Sequence, residues 1–151
     1  MPATTAHAPV TLLRPRRQPI ARAQTVARVL LVEDEPVTAE VFARALTQAG
    51  LEVRLARDGI QALHSLRDHR PDLVVLDLGL PSLSGVELLR RLRELPMYAL
   101  PVVVVSGWSQ HSTSIDGDLL QPGRWITKPA RPSQLLAKVR ELLQPRPAAE
   151  P

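Results

Sequence analysis

Apolar residues in this chain fall into two alternating kinds of cluster. Val29–Val32, Leu73–Leu76 and Val102–Val105 are short, unbroken apolar runs. That is the pattern of strands buried on both faces. Leu51–Ala56 instead alternates Leu51, Val53 and Leu55 with Glu52 and Arg54, as a half-buried strand near a sheet edge does. Between these runs the apolar period lengthens to that of a helix. Val37, Val41, Phe42, Ala45, Leu46 and Ala49 recur after Pro36 and stop at Gly50. Ile60, Leu63 and Leu66 are expected to face inward behind a cap at Asp58, in a helix that runs to about His69 and closes at Pro71. Val86, Leu89 and Leu92 follow a cap at Ser84, in a helix ending by Pro96. Leu135, Leu136, Val139, Leu142 and Leu143 share one face of a closing helix. A last short strand is expected at Trp125–Thr127.

The alternation weakens once. Residues 109–121, SQHSTSIDGDLLQ, are rich in serine, with only Ile115, Leu119 and Leu120 apolar. Serine, threonine and glycine are poor in helix interiors, so the fourth helix should be short or irregular. With that exception the chain reads as βα repeated five times. Right-handed crossovers then build one parallel, doubly wound sheet with helices on both faces. The expected folded unit is 28–144, between a disordered basic tail at 1–27 and a disordered Pro/Ala-rich tail at 145–151.

Composition narrows the chemistry. The 151 residues suit one domain and contain no cysteine, which excludes disulfides, thiol nucleophiles and zinc–thiolate sites. No apolar run approaches the roughly 20 residues of a membrane span. A cytoplasmic protein without a membrane partner is expected. The net charge of +4 is misleading, because Arg14, Arg16, Arg17, Arg22 and Arg28 lie in the first 28 residues, which hold no acid. The remainder is close to neutral, so the folded body is not expected to bind DNA. The basic tail is either a solvated leader, or the product of an upstream start, or an arm for an acidic partner. His7, His64, His69 and His111 have no visible partners and read as surface residues.

Four predicted strands end in polar groups. The first ends at Glu33 and Asp34, the third at Asp77, the fourth at Ser106 and the fifth at Lys128. In the strand order 2-1-3-4-5 the first and third strands are neighbours at the switch point, so their carboxylates can converge. Packed acids repel and protonate unless a cation joins them, and hard oxygen ligands suit Mg²⁺. Lys128 and the Ser106 hydroxyl then suit an anion bound to Asp77. The chemistry these residues point to is phosphoryl transfer onto a carboxylate.

At LLVEDE (30–35), VVLDLGLPSLSG (74–85), VVVVSG (102–107) and WITKP (125–129), in order and with fitting spacings, the sequence closely resembles the receiver domain of two-component response regulators. The likeness covers roughly residues 29–143. It implies a flavodoxin-like (βα)5 fold with Asp77 as phosphoacceptor. It further implies metal ligation by Glu33, Asp34, Asp77 and the Gly79 backbone carbonyl, and phosphoryl-binding or switch positions at Ser106, Gly107, Lys128 and Trp125. A cis Lys128–Pro129 bond is implied as well. Three features depart from the family pattern. Gly79 and Gly107 stand where side chains usually cover the site, Trp125 is larger than the usual Tyr or Phe, and the fourth helix is degraded.

The resemblance implies a stand-alone, phospho-accepting switch rather than an enzyme. Its phosphoryl donor would be a sensor histidine kinase or phosphotransfer protein, its output a further protein, and its state monomer or weak homodimer. Other readings are a receiver-like interaction or dimerisation module independent of phosphate, and a small hydrolase or flavin-binding α/β protein. The last is disfavoured because no Gly-rich loop follows the first strand.

Overall fold

The computed structural model describes residues 25–95 and 99–144. The expected tails at 1–24 and 145–151, and the helix stop at Pro96, lie outside the described residues; 25–27 carry no regular secondary structure.

Five strands alternate with five helices: β1 (Arg28–Val32), α1 (Pro36–Gln48), β2 (Glu52–Ala56), α2 (Gly59–His69), β3 (Leu73–Asp77), α3 (Gly85–Glu94), β4 (Val102–Ser106), α4 (Gly117–Leu120), β5 (Gly123–Thr127) and α5 (Pro132–Leu143). All pair in parallel in the order β2-β1-β3-β4-β5. The irregular stretch is a 3-10 turn at Gln110–Ser112 followed by the four-residue α4. β5 begins two residues before the expected Trp125.

The apolar runs fill both sides of the sheet because successive strand side chains point to opposite faces. Leu30, Val74, Leu76 and Val104 pack with Leu66, Leu89 and Leu120 of α2, α3 and α4. Leu31, Val75, Val103 and Val105 pack with Phe42, Leu46, Leu135 and Val139 of α1 and α5. β3 and β4 are buried throughout, as strands covered on both faces must be.

The helix starts are set by local chemistry. The Glu35 carboxylate accepts from the backbone N–H of Val37 (3.0 Å) and Thr38 (2.6 Å). Its bonds to Thr38 and Val37 hold its carboxyl below the usual range. Asp58 and Ser84 cap α2 and α3 through Gln61 and Glu87. Gly85 is required where α3 leaves the β3 loop, since a Cβ there would lie 2.5 Å from Leu78 Cα and 2.6 Å from the Asp77 carbonyl oxygen.

The helical stripes need correcting at three positions. Val37, Val41 and Ile60 are 67%, 44% and 48% exposed. Ala39 and Ala62 take the inward places.

Candidate functional site

Each strand delivers its last residues to one edge of the sheet. β1 and β3 are register partners as far as Val32 and Leu76, so Glu33 and Asp77 leave adjacent strands at the same level. β4 and β5 are paired through Ser106 and Thr127, and the Lys128 N–H donates to the Ser106 carbonyl at 2.7 Å. The topology therefore brings together residues separated by as many as 95 positions.

Glu33 and Asp77 are buried, whereas Asp34 is exposed. One carboxylate oxygen from each of the three lies within 4.8 Å of the other two. The Lys128 ammonium donates to Asp77 Oδ2 at 3.1 Å and to Glu33 Oε2 at 3.3 Å. The remaining oxygens are also engaged. Asp77 Oδ1 accepts from the Gly79 N–H at 3.0 Å, and Glu33 Oε1 from the Glu35 N–H at 3.1 Å.

This arrangement acts on protonation in opposite senses. Burial raises the Glu33 pKa, and the neighbouring Asp77 charge adds to it, against the lowering by the Glu35 N–H and Lys128. Burial alone would lower the Lys128 pKa. The hydrogen bond and charge of Asp77, then those of Glu33, outweigh burial and raise it. The site is thus short of positive charge: one ammonium contacts two of the three carboxyl groups.

The acids fit a divalent cation. Oxygens sharing one Mg²⁺ at about 2.1 Å lie ~3 to ~4 Å apart, so the three carboxylates need only small side-chain rotations to share one. Their hard-oxygen character suits Mg²⁺ rather than a soft metal. Among the described residues this is the group of acids so arranged.

The other expected residues ring the same edge. Ser106 is buried, and its Oγ accepts from the Trp108 N–H at 3.1 Å. The Trp125 indole N–H donates to the Trp108 carbonyl at 3.2 Å. Trp125 also packs partly against the leucines of the α2–α4 face. The Trp108 backbone thus links the Ser106 hydroxyl to the Trp125 ring. Sequence reading did not assign that role, because a backbone amide and carbonyl carry no residue-type signal. The Lys128–Pro129 peptide is cis. Gly107 leaves its flank open, a Cβ there meeting nothing within 4 Å, and one at Gly79 would meet only Asp77 Oδ1 at 3.7 Å.

Comparison with known proteins agrees with this geometry. The response regulator receiver domain matches residues 29–140. The chain is 36% identical over 126 residues to the response regulator MprA of Mycobacterium bovis, covering 82% of this chain and 54% of that protein. It is 34% identical over 117 residues to the DNA-binding response regulator MtrA of Mycolicibacterium smegmatis, covering 78% and 50%. The chain spans about half the length of these relatives. Among solved structures, the chemotaxis response regulator CheY4 of Vibrio cholerae superposes with a TM-score of 0.72 at 28% identity, over 79% of this chain and all of that one. TrrA of Thermotoga maritima, in complex with Mg²⁺-BeF, gives 0.69 at 26% identity, over 78% of this chain and all of that one. Strand order, acidic edge and sequence likeness together place the chain in the response regulator receiver domain family.

Proposed function

We propose that the folded unit, residues 28–144, is a phospho-accepting switch in which Asp77 takes a phosphoryl group from a phosphohistidine donor. The donor would be a sensor histidine kinase or a phosphotransfer protein. The observation that carries this reading is the placement of Asp77: buried at the end of β3, beside two further carboxylates, with an ammonium at 3.1 Å. A carboxylate so placed is a weak nucleophile until the charge around it is balanced.

In the proposed reaction an Asp77 oxygen attacks phosphorus, an acyl phosphate forms, and the phosphorus–nitrogen bond to the donor imidazole breaks. Glu33, Asp34, Asp77 and the Gly79 carbonyl would hold Mg²⁺, which supplies charge balance between carboxylate and phosphoryl oxygens. The Lys128 ammonium, already within reach of Asp77, would move its hydrogen bond to the new anion. The buried Ser106 hydroxyl would donate a second. The chain would thus act as acceptor and switch rather than as a turnover catalyst, with a further protein as its target.

The test is intact-mass measurement after incubation with acetyl phosphate. One added phosphoryl group is expected on the wild type with Mg²⁺, none without Mg²⁺, and none on Asp77→Ala. Labelling that survives the substitution would refute the assignment.

A further inference from the structure

We propose that the groove between α2 and α3 is a docking site for an acidic, leucine-bearing helix of a partner protein. The groove has a volume of about 1030 Å³ and an apolar floor of Leu63, Leu66 and Leu95. Arg67 and Arg70 form its α2 rim. Glu87, Arg91 and Glu94 line the α3 side, where Glu87 and Arg91 already pair at 3.2 Å. Among the described residues neither Arg67 nor Arg70 lies within ion-pair distance of a carboxylate.

The backbone at Arg70 sets where the α2 rim ends. Arg70 ends α2 with φ 42° and ψ 73°, in the left-handed region. That conformation favours glycine, and the following Pro71 restricts it further. The same chain uses glycine for this task after α1, where Gly50 has φ 86°. The turn leaves Arg70 at the end of α2, on the rim of the groove beside Arg67. The exposed Ile60 adds apolar surface, since positions 60, 63 and 67 share one stripe of α2.

Shape and charge select the occupant. A concave trough between two helices accepts the ridge of a third, so a second copy offering the same trough fits poorly. The floor is aliphatic and none of the lining residues is aromatic, so there is no stacking platform for a nucleobase. Glu87 and Glu94 oppose a polyanion on the α3 side. A helix with leucines downward and acids toward α2 matches the apolar floor and the Arg67–Arg70 rim.

The groove lies toward the sheet edge opposite Asp77, so this proposal is independent of the phosphoryl chemistry. Its test uses a fluorescein-labelled amphipathic peptide of ~18 residues, long enough to hold a helix, with leucines on one face and glutamates beside them. Polarisation is expected to show saturable binding to the full chain. Arg67→Glu with Arg70→Glu should weaken it by about tenfold or more. A matching lysine peptide should prefer that variant, and unchanged phosphoryl acceptance by the variant would show that it is folded. Arg70→Gly should raise the melting temperature and weaken binding together, the reverse of what a purely structural arginine would do. The proposal is overturned by absence of saturable binding, or by equal binding of acidic and lysine peptides. Displacement by inorganic phosphate would reveal a plain anion site and overturn it too. So would a concentration-dependent dimer in sedimentation that the charge variant abolishes, which would assign the groove to a second copy.

Discussion

Two half-buried cations hold opposite edges of the sheet, and they do so in different ways. Lys128, at the edge that carries Asp77, faces two carboxylates. Arg93, on α3 and at the other edge, faces only carbonyl oxygens: Leu100 at 2.7 Å, Leu119 and Leu120 at 2.8 Å each, and Pro122 at 3.4 Å. Burial lowers the Arg93 pKa with no charged partner to oppose it, whereas Lys128 ends up raised by its acids. A cation among carboxylates answers to anything that changes their charge: a metal, a proton or a phosphoryl group. A cation among carbonyls has nothing to answer to. The first arrangement suits a switch and the second a rivet.

That contrast is open to a direct attack on the rivet. Arg93 joins α3 to the end of the short α4 and to the segments entering β4 and β5. Arg93→Met would leave several carbonyl groups without their donor, so a loss of about 2–4 kcal/mol in urea unfolding is expected. The folded fraction should still accept phosphoryl from acetyl phosphate at near wild-type yield. A cost under about 1 kcal/mol would mean that water satisfies those carbonyls and that α4 is held by its leucines alone.

Lys128→Met should show the opposite profile. In saturating Mg²⁺ stability should change by less than about 1 kcal/mol, because the lost ammonium is itself 30% exposed and the cation would balance the two buried carboxylates left behind. Phosphoryl acceptance should fall roughly ten- to a hundredfold, a barrier change of about 1.4–2.7 kcal/mol. Initial rates of mass gain would measure it. Equal losses of stability and rate would erase the distinction between the two cations.

What the sequence showed of this contrast depended on where the information lay. The Asp77 edge was readable because each contributing residue follows an apolar run, and βα alternation sends every such end to one side. The shortness of α4 was readable from its serines and Gly117. Arg93 was not: Arg90, Arg91 and Arg93 look alike in α3, and only the packing of α4 decides which one turns inward. Ile60, Val37 and Val41 were misplaced because the periodicity marked the stripe one residue too wide. Ala62 and Ala39, small residues that carry little periodicity signal, are the ones fully buried. Glu35 directly follows Glu33 and Asp34 in the sequence, but its carboxylate is spent on the start of α1.

Glu33 sharpens the comparison through pH. Its folded pKa lies above 4.5, so protonation favours the folded state. That contribution is fully present below pH 4.5 and is lost as pH rises through the folded value. The raised Lys128 acts likewise at alkaline pH, its contribution holding below 10.5 and disappearing above its folded value. Without metal, Glu33→Gln should therefore melt higher than the wild type at pH 7–8, and the gain should shrink as pH approaches 4.5. With millimolar Mg²⁺ the order should reverse, because the variant lacks one of the proposed ligands. An advantage for Gln that survives saturating Mg²⁺ would remove Glu33 from the metal site.

The smallest effect concerns how the Asp77 edge reports outward. Ser106 Oγ holds the Trp108 N–H, and the Trp108 carbonyl holds the Trp125 indole N–H. If a phosphoryl group draws the Ser106 hydroxyl toward Asp77, the Trp108 backbone must follow or release it, and the Trp125 ring shares the consequence. Trp125→Phe keeps a ring against the leucines but removes the donor. A neutral hydrogen bond at 3.2 Å contributes about 0.5–1.5 kcal/mol, and the lower end applies to this exposed pair. Phosphoryl binding can shift the equilibrium between ring positions only by its own difference in interaction between them, so the loss should show in the signal rather than in acceptance of the phosphoryl. Intrinsic fluorescence should change on adding Mg²⁺ and again on phosphorylation. In Trp125→Phe most of the second change should vanish, while Trp108, 56% exposed beside the site, keeps the first. An undiminished phosphorylation signal in Trp125→Phe would mean that this ring only packs, and that the edge built around Lys128 signals through another face.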